Sequence, residues 1–400
     1  MPRPLATAAL IAAGIGCGVV AYRLTRPLES GPPPAMTRNP APPVETDPAP
    51  RAPASPADLR PAREPAPPVE PASPRSATAL DDAAARSRAL APAADGLEPV
   101  AFREVWAYLF RGEERHYDPR LPISDLCLFH FRLDDVGRIE GSLDAELAAR
   151  LARGGARTHL VVSASGGTLF HFLLDPRYGA RDRLLDDLIE LASRHETHGF
   201  QVDFEAVRAE ESADLVSFLR ELRARLPAGR VFSICLPAMT GDARRAYDYR
   251  DVAALADRFF VMGYDLHWQG GPPGAVSPRE WLERVARHAL ERLPPATVVV
   301  GLPFYGRVWQ IDRLARATRH RDIDGYLSRP GVEVTYDADA SHSFTFLETV
   351  EAEGWFDDAV SLHRKLRAAR DAGARAVGFW RLGQEDPGVW DLLRVEGPGR

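Results

Sequence analysis

Short apolar runs alternate with amphipathic stretches at helical spacing along residues 97–395. This alternation is typical of βα units around a parallel sheet, because each helix covers part of the sheet that it follows. The number of apolar runs is eight, which is the number that a closed barrel needs. The sequence therefore predicts an α/β fold, a (β/α)8 TIM barrel. The predicted strands are Val105–Phe110, Ile123–Phe129, Thr158–Ser163, Phe200–Phe204, Val231–Leu236, Phe259–Met262, Val298–Leu302 and Ala376–Trp380.

Residues 306–356 break this rhythm, and they are too many for a simple connection. The alternating runs Val332–Tyr336 and Ser343–Phe346 predict a small β-rich insertion between strands seven and eight. A doubly wound open sheet is the alternative fold, but no Gly-rich phosphate loop follows the first strand. The predicted helices include Asp182–His195, Ser212–Leu226, Pro278–Leu293 and Asp358–Ala372.

The N-terminal quarter of the chain has a different composition. Of the 35 prolines, 18 lie between Pro27 and Pro92, where aromatic residues are absent. Such a segment has too little apolar surface to offset the entropy of ordering it. We interpret residues 27–96 as a disordered linker and residues 97–396 as the barrel domain.

Residues 1–26 resemble a targeting segment. The chain is apolar or small from Leu5 to Tyr22, with arginines on both sides. This length favours an uncleaved signal anchor over a signal peptide, although a lipid-modified Cys17 remains an alternative. The sequence predicts a membrane-anchored, extracytoplasmic bacterial protein, which is secreted if the segment is cleaved.

Charge and cysteine content exclude several classes. The net charge is −6 and the arginines are scattered among acidic residues, which argues against nucleic acid as a partner. The Arg-rich run from Arg313 to Arg321 fits a solvated face better than contact with an anionic glycan or phosphate. The three cysteines offer neither a disulfide framework nor metal-ligand spacing.

The fourth predicted strand ends in two carboxylates. Side chains two residues apart share one face of a strand, so Gln201, Asp203 and Glu205 point the same way. Each negative charge raises the pKa of its neighbour, so one carboxyl of the pair can keep a proton near neutral pH. In a barrel the active site lies at the C-terminal ends of the strands. The candidate site residues at the other strand ends are Ser163, Ser165, Met262, Tyr264, Asp265, Tyr305, Arg307, Trp380 and Arg381.

These residues resemble motifs of glycoside hydrolase family 18, the chitinase-like barrels. The run from His198 to Glu205, His-Gly-Phe-Gln-Val-Asp-Phe-Glu, is similar to the family's Asp-Gly-x-Asp-x-Asp-x-Glu signature. Met262-Gly-Tyr-Asp265 fits its Met-x-Tyr-Asp motif, and Gly378-Phe-Trp-Arg-Leu-Gly-Gln-Glu-Asp-Pro387 is most similar to bacterial members acting on cell-wall or N-acetylglucosamine polymers. The resemblance spans nearly the whole barrel domain, in order.

The resemblance implies a retaining, substrate-assisted hydrolysis in which the substrate's own N-acetyl oxygen attacks the anomeric carbon. Under it, Glu205 is the general acid and then the base, while Asp203 and Tyr264 hold the acetamido group. Trp380 would form the floor under the sugar ring, and Asp265 would hold a hydroxyl or the acetamide. Gln201, Met262, Tyr305 and Arg307 complete the expected substrate contacts. No metal or organic cofactor is expected, and the protein is expected to be a monomer.

Two positions depart from the signature. His198 replaces its first Asp, a position expected to be supporting, and Gln201 replaces its second. We expect the Gln201 amide to donate a hydrogen bond to Asp203 and lower its pKa. Cell-wall-acting relatives resemble this chain in carrying an amide there. A catalytically silent glycan-binding module is therefore an alternative, and a membrane-tethered scaffold is a third.

Overall fold

The computed structural model describes residues 96–396, except 135, 166, 242–245, 311–313, 330, 338, 340 and 348–350. The predicted signal anchor and nearly all of the predicted linker lie outside the described residues. Among the described residues, no helix combines the length and the apolarity needed to cross a membrane.

Strands in the described part of the chain form a closed barrel, a five-stranded insertion sheet and a short two-stranded pair. In chain order the strands are β1 (Val100–Phe102), β2 (Glu104–Phe110), β3 (Asp125–Leu133), β4 (Ile139–Gly141), β5 (Arg157–Ser165), β6 (Gly199–Glu205), β7 (Val231–Pro237), β8 (Arg258–Met262), β9 (Val298–Pro303), β10 (Tyr305–Gln310), β11 (Arg316–Arg319), β12 (Glu333–Thr335), β13 (His342–Leu347), β14 (Glu351–Phe356), β15 (Ala376–Trp380) and β16 (Leu393–Val395).

The α-helices that accompany these strands follow them along the chain. They are α1 (Ala145–Ala152), α2 (Gly167–Leu174), α3 (Gly179–Arg194), α4 (Ser212–Arg225), α5 (Tyr249–Val252), α6 (Arg279–Arg292), α7 (Ile323–Leu327) and α8 (Ala359–Asp371). Their ends are set locally. Asp358, for example, starts α8 because its carboxylate accepts a 2.8 Å hydrogen bond from the Ser361 N–H, which would otherwise lack a helical partner.

The barrel is closed by parallel pairing throughout. Its strands follow the order β2, β15, β9, β8, β7, β6, β5 and β3, and the β2–β3 ladder completes the ring. The eight predicted strands and the barrel fold are confirmed. Strand β3 starts two residues later than predicted and runs to Leu133, because its end pairs antiparallel with β4, from Phe131↔Gly141 to Leu133↔Ile139.

Alternation along each barrel strand separates two apolar layers. On β6, Phe200, Val202 and Phe204 pack outward in the large core between strands and helices. The intervening residues face the barrel interior, where a second cluster contains Tyr108, Cys235, Phe260 and Trp380. Because successive side chains of a strand point to opposite faces, Asp203 and Glu205 lie on the interior side.

The predicted β-rich insertion between the seventh and eighth barrel strands is present. Its strands follow the order β11, β10, β14, β13 and β12, and all of its pairings are antiparallel. Phe344, Phe346 and Phe356 form its own apolar core. A fully buried ion pair ties the end of the insertion to α8, since Lys365 Nζ lies 2.6 Å from both carboxylate oxygens of Asp357.

Candidate active site

The two carboxylates of β6 lie at the C-terminal mouth of the barrel. Asp203 pairs in register with Ser163 of β5, and Glu205 pairs with Ser165. Asp203 is buried, whereas Glu205 is half-buried as the last residue of the strand. The chain turns immediately afterwards, because Ala206 has a positive φ of 59°. The pair therefore spans the boundary between the barrel interior and its rim.

The surroundings of Asp203 favour its protonated form. Burial raises the pKa of Asp203 well above its usual value, and the neighbouring Glu205 raises it further. A hydrogen bond from the Cys235 thiol opposes the rise. The Oδ1 atom of Asp203 is buried without a hydrogen-bond partner in the described structure. A buried acceptor left open in this way is poised for a donor or a positive charge on a ligand.

Gln201 does not act on Asp203 as the sequence suggested. Its side-chain oxygen accepts a 2.6 Å hydrogen bond from the Tyr108 hydroxyl, and its amide nitrogen donates a 3.0 Å bond to Ser233 Oγ. The prediction that Gln201 donates to Asp203 and lowers its pKa was wrong, because these partners on β2 and β7 occupy the amide. Gln201 is fully buried and belongs to the floor below the carboxylates.

Tyr108, Ser233 and Cys235 were missed by the sequence reasoning. Ser233 pairs in register with Gln201. Cys235 lies two residues further along β7, so it occupies the same interior face at the level of Asp203. Tyr108 also contacts the Cys235 sulfur at 3.4 Å. The signal that could have found them is strand parity, because inward positions of neighbouring barrel strands meet in layers.

Asp265, Tyr305 and Arg307 form one cluster. The Asp265 Oδ1 atom accepts hydrogen bonds from the Tyr305 hydroxyl at 2.7 Å and from Arg307 Nε at 2.9 Å. Burial raises the pKa of Asp265, and the charge of Arg307 opposes that rise. Asp265 also has a positive φ of 60°, and its carboxylate contacts Tyr305 and Arg307 of β10. Strand β10 of the insertion thus positions Asp265 at the barrel mouth.

Aromatic rings line the interior below and beside the carboxylates. Trp380 ends β15 and packs against Tyr108 and Phe129, with ring centroids 5.2 and 4.6 Å apart. Tyr264 lies edge-on to Tyr305 at 6.3 Å. Tyr264 and Trp380 are both 7% exposed, and the half-buried Met262 packs on the same cluster. The structure thus brings the sequence-predicted catalytic and substrate-contact residues to one end of the barrel, except Gln201, which lies below them.

His198 lies at the other end. It precedes β6, and its Nδ1 atom accepts a 3.1 Å hydrogen bond from the Thr158 backbone N–H. The substitution at this signature position therefore affects pairing at the start of β5 and β6. It does not add a group to the mouth.

Comparisons with known proteins agree with this architecture. The family model of the glycosyl hydrolases family 18 matches residues 150–385, which is more than half of the chain. The cortical fragment-lytic enzyme of Bacillus subtilis is 30% identical over 250 residues, which is 59% of this chain and 58% of that protein. The enzyme of the same name from Bacillus anthracis is 28% identical over 226 residues, covering 53% of each chain.

Solved structures share the fold. The spore cortex-lytic enzyme SleL of Bacillus cereus superposes with a TM-score of 0.66 at 23% identity, covering 76% of this chain and 77% of that one. A chitinase from Chromobacterium violaceum gives a TM-score of 0.63 at 23% identity, covering 72% of this chain and 97% of the other. The chain belongs to the glycosyl hydrolases of family 18 and, as a member, is a glycosidase. It spans little more than half the length of the two curated cortical fragment-lytic relatives.

Proposed function

We propose that this glycosidase cleaves β-1,4 bonds at N-acetylhexosamine units of an extracytoplasmic glycan, either chitin-like or peptidoglycan, by substrate-assisted retaining catalysis. The observation that supports it is the unequal carboxylate pair, in which Asp203 is buried and favours its protonated form while Glu205 reaches the rim. The names of the cortical fragment-lytic relatives support a cell-wall glycan over chitin.

In the proposed first step, Glu205 donates its proton to the glycosidic oxygen as the bond from that oxygen to the anomeric carbon breaks. The carbonyl oxygen of the substrate's N-acetyl group forms the new bond to the anomeric carbon, and positive charge grows on the acetamido group. In the second step Glu205 takes a proton from water, the water oxygen bonds to the anomeric carbon, and the bond from that carbon to the N-acetyl oxygen breaks, which restores the acetamido group. Two displacements retain the anomeric configuration.

Asp203 contributes through charge that develops during the reaction. A carboxyl that is costly to ionise in the free enzyme becomes easier to ionise when a cation forms beside it, because opposite charges interact strongly in a buried site. Its stabilisation is therefore larger in the transition state than in the ground state. Tyr264 donates a hydrogen bond to the acetamido oxygen, and Trp380 carries the sugar ring.

The test compares the purified barrel domain with its Glu205→Gln variant on N-acetylglucosamine oligomers and on peptidoglycan. Glu146→Gln on the outer helix α1 is the matched control, since Glu146 is exposed. We expect turnover by the native and control proteins, with retained anomeric configuration seen by nuclear magnetic resonance. Equal product from native protein and Glu205→Gln would refute the assignment.

A silent glycan-binding module is the second candidate, and one observation favours it. The Gln201 amide is engaged by Tyr108 and Ser233, so position 201 supplies no carboxyl that could share a proton with Asp203. This alternative predicts that sugar binding survives Glu205→Ala while the native protein shows no turnover on any polymer.

We also propose that the N-terminal segment anchors the barrel outside the cytoplasm. The apolar run Leu5–Tyr22 and the proline-rich spacer support this proposal. Fractionation of cells that express the full chain is expected to recover it with membranes, and added protease is expected to reach it in spheroplasts. Recovery in the cytoplasmic fraction would contradict the proposal.

A further inference from the structure

Two arginines share one glutamate at the rim beside Trp380. Arg381 directly follows Trp380, Glu113 lies three residues after β2, and Arg319 ends β11. Arg319 Nη2 donates a 2.9 Å hydrogen bond to Glu113 Oε1, and Arg381 Nη1 lies 3.2 Å from Glu113 Oε2. Strands β2 and β15 are neighbours in the barrel, and both residues extend from their C-terminal ends. The cluster therefore lies at the same end as Glu205.

The contacts of Arg381 leave it poorly satisfied. The hydrogen bond from Arg381 Nη2 to Glu113 Oε1 is 3.5 Å long, whereas charge-assisted bonds are usually about 2.7–2.9 Å. Arg381 Nη1 and Glu113 Oε2 are both buried, and neither has a well-aligned hydrogen-bond partner among the described residues. Burial lowers the pKa of Arg381, and the nearby Arg319 lowers it further. One carboxylate thus serves two guanidinium groups.

The other acids near this rim have partners of their own. Glu385 accepts hydrogen bonds from the Gly383 N–H at 2.7 Å and from the Trp390 indole at 3.4 Å. Asp386 accepts from the Ala359 N–H at 2.8 Å at the start of α8. These carboxylates hold local backbone, and the polar contacts of the Arg381 side chain in the described part of the chain are to Glu113 alone, so its guanidinium keeps donors for an anionic ligand.

An aromatic surface leads from this charge to the predicted sugar floor. The Arg381 guanidinium lies 4.2 Å above the ring of Phe110, which stacks on Phe129 at 5.7 Å. Phe129 in turn meets Trp380 edge-on at 4.6 Å. Phe110 and Phe129 are half-buried, so part of each ring remains accessible. A sugar that contacts the accessible parts of these rings would bring its substituents towards the guanidinium.

We propose that Arg381 is a specificity-determining residue that binds a carboxylate carried by the glycan next to the sugar over Trp380. The proposal rests on the proposed function and narrows its substrate to carboxylated N-acetylhexosamine polymers. Arginine suits this role, because its planar fork matches a carboxylate with two parallel hydrogen bonds. Neutral chitin has no such group, whereas peptidoglycan carries carboxylates on its peptides and on lactyl groups that bear no peptide.

The experiment measures dissociation constants by calorimetry in the Glu205→Gln background, so that binding is read without turnover. The ligands are a neutral N-acetylglucosamine oligomer, an oligomer of equal length with free lactyl carboxylates, and one whose lactyl groups are amidated by a peptide with a free carboxylate. We expect preference for at least one carboxylated ligand, weakening with added salt. Arg381→Gln should reduce that preference about tenfold or more.

Two further variants keep the result independent of folding. Glu113→Gln removes the shared counter-ion, so the preference for a carboxylated ligand should rise about fivefold, which a damaged fold would not produce. Arg115→Gln, an exposed arginine of the same loop, should leave it unchanged. Equal binding of neutral and carboxylated oligomers, or a preference that survives Arg381→Gln within about twofold, overturns the proposal. If the native protein shows no turnover but prefers a carboxylated ligand, and Arg381→Gln removes that preference, only the hydrolase assignment is refuted.

Discussion

The two ends of the barrel interior each hold a buried aspartate, and their surroundings are opposite. At the bottom, Asp125 accepts hydrogen bonds from His159 at 2.7 Å and from Arg157 at 2.9 Å. Burial alone would raise its pKa, but these bonds lower it below its usual value. At the mouth, Asp203 has the Cys235 thiol to offset its burial, and its pKa is raised.

The difference separates stability from chemistry. A buried carboxylate bonded to an arginine and a histidine stays ionised and fastens strands, here β3 to β5. A buried carboxylate with a weak thiol donor stores free energy that a positively charged reaction centre can release. The N-terminal face of such barrels serves stability and the C-terminal face serves catalysis, and the two aspartates follow this division.

The largest expected effect is the loss of activity when Glu205 at the mouth is replaced. Glu205→Gln should lower kcat on the cleaved glycan by about 10²–10⁴-fold, because the proton donor is lost. The thermal unfolding midpoint should barely change. Glu104→Gln is the matched change at the bottom, where Glu104 pairs with Arg258 at 2.6 Å, and it should lower the unfolding midpoint while kcat stays near native. Equal activity losses in both variants would contradict the assignment of catalysis to the mouth and stability to the bottom of the barrel.

A change at the bottom aspartate should act on stability. Asp125→Asn leaves buried His159 without its carboxylate and leaves Arg157 with only Glu104, 3.1 Å away, which should lower the unfolding free energy by about 1–3 kcal/mol. Because its native pKa is lowered, Asp125 contributes stability above pH 3.8 that is lost as pH falls. Urea unfolding across acidic to neutral pH measures both effects. If Asp125→Asn lowers the unfolding free energy as much at low pH as at neutral pH, this account is contradicted.

The mouth aspartate should show the opposite slope. The native pKa of Asp203 is raised above 3.8, so the folded state holds its proton longer than the unfolded state. Its contribution to stability is therefore present at low pH and is lost as pH rises through the native pKa. Asp203→Asn should be more stable than the native protein at neutral pH, and the gain should vanish at low pH. A destabilised variant at neutral pH would show that Asp203 is ionised and paired.

The smallest expected effect concerns the thiol beside Asp203. Cys235→Ala removes a hydrogen bond that lowers the Asp203 pKa, so the acid limb of the kcat/KM profile should move to higher pH. A neutral hydrogen bond of about 1 kcal/mol corresponds to roughly a fivefold loss below the optimum. Cys235→Ser keeps a donor and should restore most of the native profile. Identical profiles for the two variants would assign Cys235 to packing alone.

Most of the barrel was predictable because local patterns carry it. The run Gly199–Glu205 shows its strand, its two faces and its paired acids within seven residues, and β6 has these bounds. The extension of β3 was not visible, since it depends on pairing with β4. The partners of Gln201 were also hidden, because Tyr108 and Ser233 lie 93 and 32 residues away in sequence.

The sequence by itself determined that this chain closes an eight-stranded parallel ring and directs Asp203 and Glu205 to one end of its interior, because strand periodicity and order are local properties. Only the tertiary structure decided that Asp203 carries the raised pKa, that Gln201 is taken up by its neighbours, and that Arg381 and Arg319 meet one glutamate. Those outcomes depend on which distant side chains share a buried space, where desolvation and pairing compete.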